Sequence, residues 1–238
     1  MILPNMTDDE KCFEAFRITP MADKALQDNR KMILDKFRRG TKFPYTQRFS
    51  FDDDRHNRWY IVVACRSKKA FKKDCFTIIC YTIYEVYKRK ADGNSGKGII
   101  FFDPTKNIDY IRASEEQRKD MVGAMYYEVV PHCFNRYRQR YLAPKGLDGI
   151  DFYKQVESVI NHIKHFDVMG DESANKHGEY PIDMIMDDGG LLRGQFINNC
   201  FTRFYTYVSR EMLFENQEEN SKAMLKEYYE WVRKGIYK

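Results

Sequence analysis

His132, Arg136 and Arg140 recur at intervals of four within YYEVVPHCFNRYRQRYL, residues 126–142. In a helix such positions lie one above the next on a single face. One imidazole and two guanidiniums in a row suit a phosphate group. Arginine grips phosphate oxygens bidentately, and an imidazole exchanges protons near neutral pH. Pro131 marks the helix start, because the N–H that proline lacks would have no partner there. The open N–H groups of that first turn attract anions and bias a nearby imidazole toward its neutral form. Phe134, Tyr137 and Tyr141 fall on a different face and are the natural core contacts. The structural alternative is that both arginines pair with acids such as Asp148 or Asp151, leaving His132 a plain surface residue.

A second basic run, RSKKAFKK at 66–73, offers Lys68, Lys69, Lys72 and Lys73 as further phosphate contacts. His162 and His165 are three apart on an expected helix, with His177, Asp187 and Asp188 later in the chain. No Glu or Cys stands at metal-ligand spacing, so the histidines read as solvent-exposed polar residues and no metal or other cofactor is expected. DGNSGKG is too short for a P-loop and leads into a strand-like run, and DDGGLLRG reads as a hairpin turn. Adjacent helical residues point about 100° apart, which rules out a Cys133–His132 dyad.

The elements that must position these groups follow from periodicity. Thr19 and Pro20 read as the cap and first position of a helix running to about Arg39, after a loose lead-in at 1–18. Period-2 patterns at 43–51, 59–66, 75–87 and 98–103, joined by turn residues, predict an antiparallel meander. Ser114 and Gln117 suggest a capping box for a short helix at 114–124. A strand at 126–130, the His/Arg helix and an amphipathic helix at 151–166 come next. Strands at 182–186, 191–197 and 201–208 and a final helix at 216–234 complete the chain. Hairpins dominate and helices are grouped, which predicts an α+β fold of antiparallel meanders with packed helices. One continuous domain or two tightly packed lobes, 1–113 and 114–238, are expected, since no Pro/Gly/Ser linker separates the halves.

The chain has 238 residues, 43% hydrophobic and 32% charged, enough for a substantial core. No apolar run approaches the roughly 18 residues that would span a membrane, and the N-terminal stretch does not read as a secretory signal. Six cysteines are scattered without C-x-x-C spacing, which predicts reduced thiols in a cytoplasmic protein. The net charge of +5 is mildly basic, below the usual footprint of a dedicated DNA-binding domain. The 17 Tyr and 17 Phe read mainly as core, although both also stack on bases.

The order strand, P-H-x-x-x-R-Y-x-x-R helix, second helix and antiparallel meander resembles toxin-like proteins of the barnase–colicin–RelE ribonuclease fold group. The resemblance covers about 126–214, and the first lobe has no counterpart in that group. It implies a metal-independent phosphodiesterase acting on RNA, with His132 as general base or acid and Arg136 and Arg140 as phosphate clamps. Thr206 and Ser209 would be hydrogen-bonding partners from the last strand, FTRFYTYVSREML. Two other readings stay open. One is a nucleic-acid- or nucleotide-binding module without catalysis, and the other is a protein-interaction module with tyrosine-rich contact surfaces.

Overall fold

The computed structural model describes residues 6–73, 76–86, 96–102, 126–165, 168–170, 179–186, 188–197 and 201–213, with a few isolated positions beyond. The expected helix at 114–124, most of the one at 216–234 and most of the DGNSGKG segment fall outside them. The fold is α+β. The chain divides into two compact units, Met1–Tyr84 with Ile100–Tyr127, and Glu85–Ile99 with Glu128–Lys238. The two units thus exchange segments along the chain.

The first unit opens on helix α1 (Asp8–Asp28) and helix α2 (Arg30–Arg39). The first helix starts twelve residues earlier than the Thr19–Pro20 cap predicts. Thr7 and Glu10 form a reciprocal capping box, with Glu10 N–H donating to Thr7 Oγ1 and Thr7 N–H to Glu10 Oε2. Pro20 lies inside the helix, and Thr19 is a buried side chain whose hydroxyl meets Tyr126 Oη at 2.6 Å. Ala15, Ile18, Ala22 and Leu26 make the buried stripe of α1, and Ile33 and Phe37 that of α2.

Strands β1 (Tyr45–Asp52), β2 (Arg58–Cys65) and β3 (Thr77–Val86) pair antiparallel in sequence, as the alternation predicts. Strand β4 (Gly96–Phe102) and strand β5 (Tyr126–Val129) follow. Residues 78–82 of β3 and 98–102 of β4 are continuously buried, so both faces are covered and the pattern loses its period. Trp59, Tyr81, Phe101 and Phe102 fill this core. A short helix α3 (Lys68–Lys72) occupies part of the basic run, capped by Ser67.

The polar turn between β1 and β2 is a hub. Asp53 is buried and accepts from the backbone N–H of Arg55 and Asn57, from Asn57 Nδ2 and from Arg17 Nη2 at 3.0 Å. Arg17 also holds Asp54 and, at 2.6 Å, the buried Glu14, which Arg55 reaches as well. Burial alone would raise the Asp53 carboxyl. The donors from Asn57, Arg55 and Arg17 outweigh it and hold the group down at about 2. Asp53→Ala takes the acceptor from the N–H groups of Arg55 and Asn57 and one of three carboxylates from Arg17, and should cost about 3 kcal/mol in denaturant unfolding. The folded carboxyl is more acidic than the unfolded one near 3.8, so its contribution is full above that value and is lost as pH falls through about 2. In an Asp53→Asn variant the loss of stability between about pH 4 and pH 2 should be shallower than in wild type.

The second unit contains helix α4 (Pro131–Tyr137), a π-helical turn at Arg138–Leu142 and helix α5 (Phe152–His165). Strands β6 (Val168–Gly170), β7 (Tyr180–Ile185), β8 (Leu191–Ile197) and β9 (Phe201–Val208) pair antiparallel in the order β9-β8-β7-β6. The short β6 is an addition to the three strands expected here. Cys65, Cys80 and Cys133 are free, buried thiols. No helix among the described residues is long and apolar enough to cross a membrane.

Candidate functional site

Helix α4 leaves β5 through Val130, whose N–H donates to Phe204 O on β9. Pro131 sits at the first helical position, as expected. Pro131, Cys133, Phe134 and Tyr137 are buried, which turns His132 and Arg136 toward the half-exposed side. Arg136 donates to Gln139 Oε1 at 3.4 Å. The regular i, i+4 row then ends. The π turn widens the helix at 138–142, and Arg140 bends onto the sheet, with Nη1 donating to Tyr207 O at 2.9 Å. Arg138 lies between them with its Nε buried and unbonded. None of these three arginines forms an ion pair with a carboxylate among the described residues. Asp151 instead accepts from the N–H groups of Tyr153 and Lys154 at the start of α5.

The residues expected from the sheet do not join His132. Strand β9 carries one extra residue, Tyr205, between the pairs Arg193–Thr206 and Gly194–Phe204. Past this bulge, Tyr207 shares the α4 side with Phe204, and Thr206 faces the other way beside Arg193 and Asp183. Ser209 stands at the N-cap position of the short 3₁₀ turn at Arg210–Met212 without a side-chain cap bond, and its hydroxyl bonds the Glu211 carboxylate. The four lysines belong to the first unit. Lys68 caps α2, its ammonium donating to Phe37 O, Arg38 O and Gly40 O. Lys69, Lys72 and Lys73 are exposed.

The structure reveals a polar cluster that helical-wheel reasoning assigns to solvent. His162 on α5 is half-buried, not exposed, and both ring nitrogens are occupied. Nδ1 meets Tyr137 Oη at 2.8 Å and Nε2 meets Tyr141 Oη at 2.7 Å. Tyr137 Oη also meets Ser158 Oγ at 2.8 Å. A neutral imidazole donates to one tyrosine oxygen and accepts from the other hydroxyl. The Tyr137 and Tyr141 rings stack at 4.9 Å, and the Tyr207 ring meets both edge-on. Tyr207 donates to Asp188 Oδ2 at 2.6 Å in the β7–β8 turn. Burial, then the hydrogen bond and charge of Asp188, push the Tyr207 phenol far up, so it stays a neutral donor. The i, i+4 spacing of Tyr137/Tyr141 and of Ser158/His162 was the available signal in the sequence. It marks two matched helix faces.

His165, His177 and Asp187 are not among the residues whose side chains are described. Among those that are, no group of three His, Cys, Asp or Glu could hold a metal ion. Comparison with family models, with curated proteins and with solved structures finds no match to this chain.

His162→Ala removes one hydrogen bond from Tyr137, which keeps Ser158, and one from Tyr141. It should cost about 1–3 kcal/mol in urea unfolding. Arg136→Ala, on the exposed side, should stay within about 0.5 kcal/mol. Equal losses in the two variants would contradict this division of the helix into a structural and a free face.

Proposed function

We propose that this protein binds the phosphate backbone of RNA through the arginine stretch at 136–140, and does so without cleaving it. The observation that carries this reading is the uncompensated charge. Arg136, Arg138 and Arg140 lie within five residues, and none is paired to a carboxylate among the described residues. Arg140 spends one nitrogen on the Tyr207 carbonyl, which holds the side chain in place without neutralising it. Guanidiniums held on an ordered element and lacking acids suit phosphate oxygens.

RNA is favoured among phosphate ligands by the sequence resemblance to toxin-type ribonucleases, which rests on this same helix. Binding is favoured over cleavage because general acid–base catalysis needs a second group within reach of the scissile phosphate. Thr206 lies on the sheet face opposite α4, and Ser209 is engaged with Glu211.

The test is fluorescence anisotropy with a labelled single-stranded RNA over a range of salt concentrations. Arg136→Ala/Arg138→Ala, with its fold checked by circular dichroism, should bind about tenfold more weakly. The slope of log affinity against log salt should flatten by about 1.4, at about 0.7 per lost phosphate contact. The RNA should stay intact with wild type and with His132→Ala alike. Undiminished affinity in the double arginine variant would overturn the binding reading. Cleavage by wild type that His132→Ala abolishes would restore the catalytic one.

A further inference from the structure

We propose that the first unit carries a second RNA-binding surface, made where the C-terminus of α2 meets α3. It shares with the preceding reading only the choice of ligand, and its residues are all in the other unit. Two basic runs about thirty positions apart in sequence come together here. The last turn of α2 and the coil beyond it carry Lys36, Arg38, Arg39 and Lys42, all exposed. Arg66 and the exposed lysines of 68–73 come from the other run.

What joins them is Lys68. Its ammonium lies 2.7 Å from Arg38 O and 3.3 Å from Gly40 O, closing the end of α2 with a side chain from α3. Beneath it the Phe37 ring stacks on Phe71 at 6.2 Å and meets Phe76 edge-on at 5.2 Å. This aromatic seat makes the juxtaposition rigid, so the surrounding cations are held on one ordered surface. Neither 36–42 nor 66–73 contains an acid, and Arg38 pairs with Asp35 from the preceding turn. Such a surface focuses a positive potential and attracts a polyanion.

Chemistry selects between a nucleic acid and a membrane as that polyanion. A surface that seats in a bilayer combines basic residues with exposed apolar side chains that insert. The exposed large hydrophobic residues among the described positions include none from 36–45 or 66–73. Phe37 and Phe71 face inward. The patch offers charge and hydrogen-bond donors alone, which fits a phosphodiester backbone.

The experiment uses the full chain and the variant Arg39→Ala/Lys69→Ala/Lys72→Ala. Lys68 is left intact because it holds α2. Binding to a labelled single-stranded RNA, and co-sedimentation with vesicles of phosphatidylserine and phosphatidylcholine, are measured for wild type and variant. The expected result is about tenfold weaker RNA binding with a salt slope flattened by about 2, at about 0.7 per contact, and no vesicle binding by either protein. Unchanged RNA affinity and slope would overturn the proposal. So would vesicle binding that the variant loses while RNA binding persists. Running Arg136→Ala/Arg138→Ala alongside separates the two sites. Loss confined to that variant leaves the 136–140 reading standing and removes this one, and loss confined to the triple variant does the reverse.

Discussion

One extra residue in β9 decides which side chains meet in the second unit. A strand alternates its faces, so Phe204 and Tyr207, three apart, would ordinarily point opposite ways. The bulge at Tyr205 cancels one step, and both side chains turn toward α4. The face then reads Ile182, Met184, Leu192, Phe204 and Tyr207, all buried. The opposite face keeps Asp183, Arg193, Gln195 and Thr206. Gly194 lies beside the irregularity for a steric reason. A Cβ there would stand 2.1 Å from the Arg203 carbonyl oxygen, so only glycine admits the close approach of β9.

The bulge also explains why so many polar atoms can be buried against α4. With Tyr207 turned inward, its ring packs on Tyr137 and Tyr141 and its hydroxyl reaches Asp188. Gly190 makes room, because a Cβ there would lie 2.5 Å from Tyr207 Oη. Tyr137 and Tyr141 then carry their own hydroxyls to His162. The result is a chain of hydroxyl and imidazole contacts binding α4 and the π turn to α5, with the tyrosine rings providing apolar area and their tips the specificity. Elsewhere in the unit, Glu128 and Arg203 form a buried ion pair in which each group needs the other.

The fold class was legible because alternation and turn residues are local signals. Strands β1, β2, β8 and β9 fall within a residue or two of their expected limits. The first helix was misread because two cap signals compete. Thr19–Pro20 resembles a start, but Thr7-x-x-Glu10 is the box that forms, and Thr19 is needed at Tyr126 instead. His162 was misread for a different reason. A helical wheel shows which face a residue occupies on its own helix. It cannot show that another helix brings two tyrosine hydroxyls to that edge. The break in the His132/Arg136/Arg140 row has the same origin, since the π turn and the Tyr207 carbonyl are set by tertiary packing. The β9 bulge had one faint mark in the sequence, a glycine inside a neighbouring strand.

Charge placement sets two arginines apart from those at 136–140. Arg17 and Arg203 are largely buried and matched to carboxylates, Glu14, Asp53 and Asp54 for one and Glu128 for the other. A buried guanidinium without such a partner would lose its hydration with nothing in return. The guanidiniums at 136–140 are half-exposed, and the cations at the α2–α3 junction are exposed, so water or a ligand can reach them. The guanidiniums at 136–140 still repel one another, and Arg140 is steadied on a carbonyl that leaves its charge intact. A polyanion would turn the same repulsion into attraction, with release of its condensed counterions as the driving force. Arg17 and Arg203 belong to the stability of the fold; the proposed contacts to a phosphate backbone draw on the arginines at 136–140 and around the α2–α3 junction.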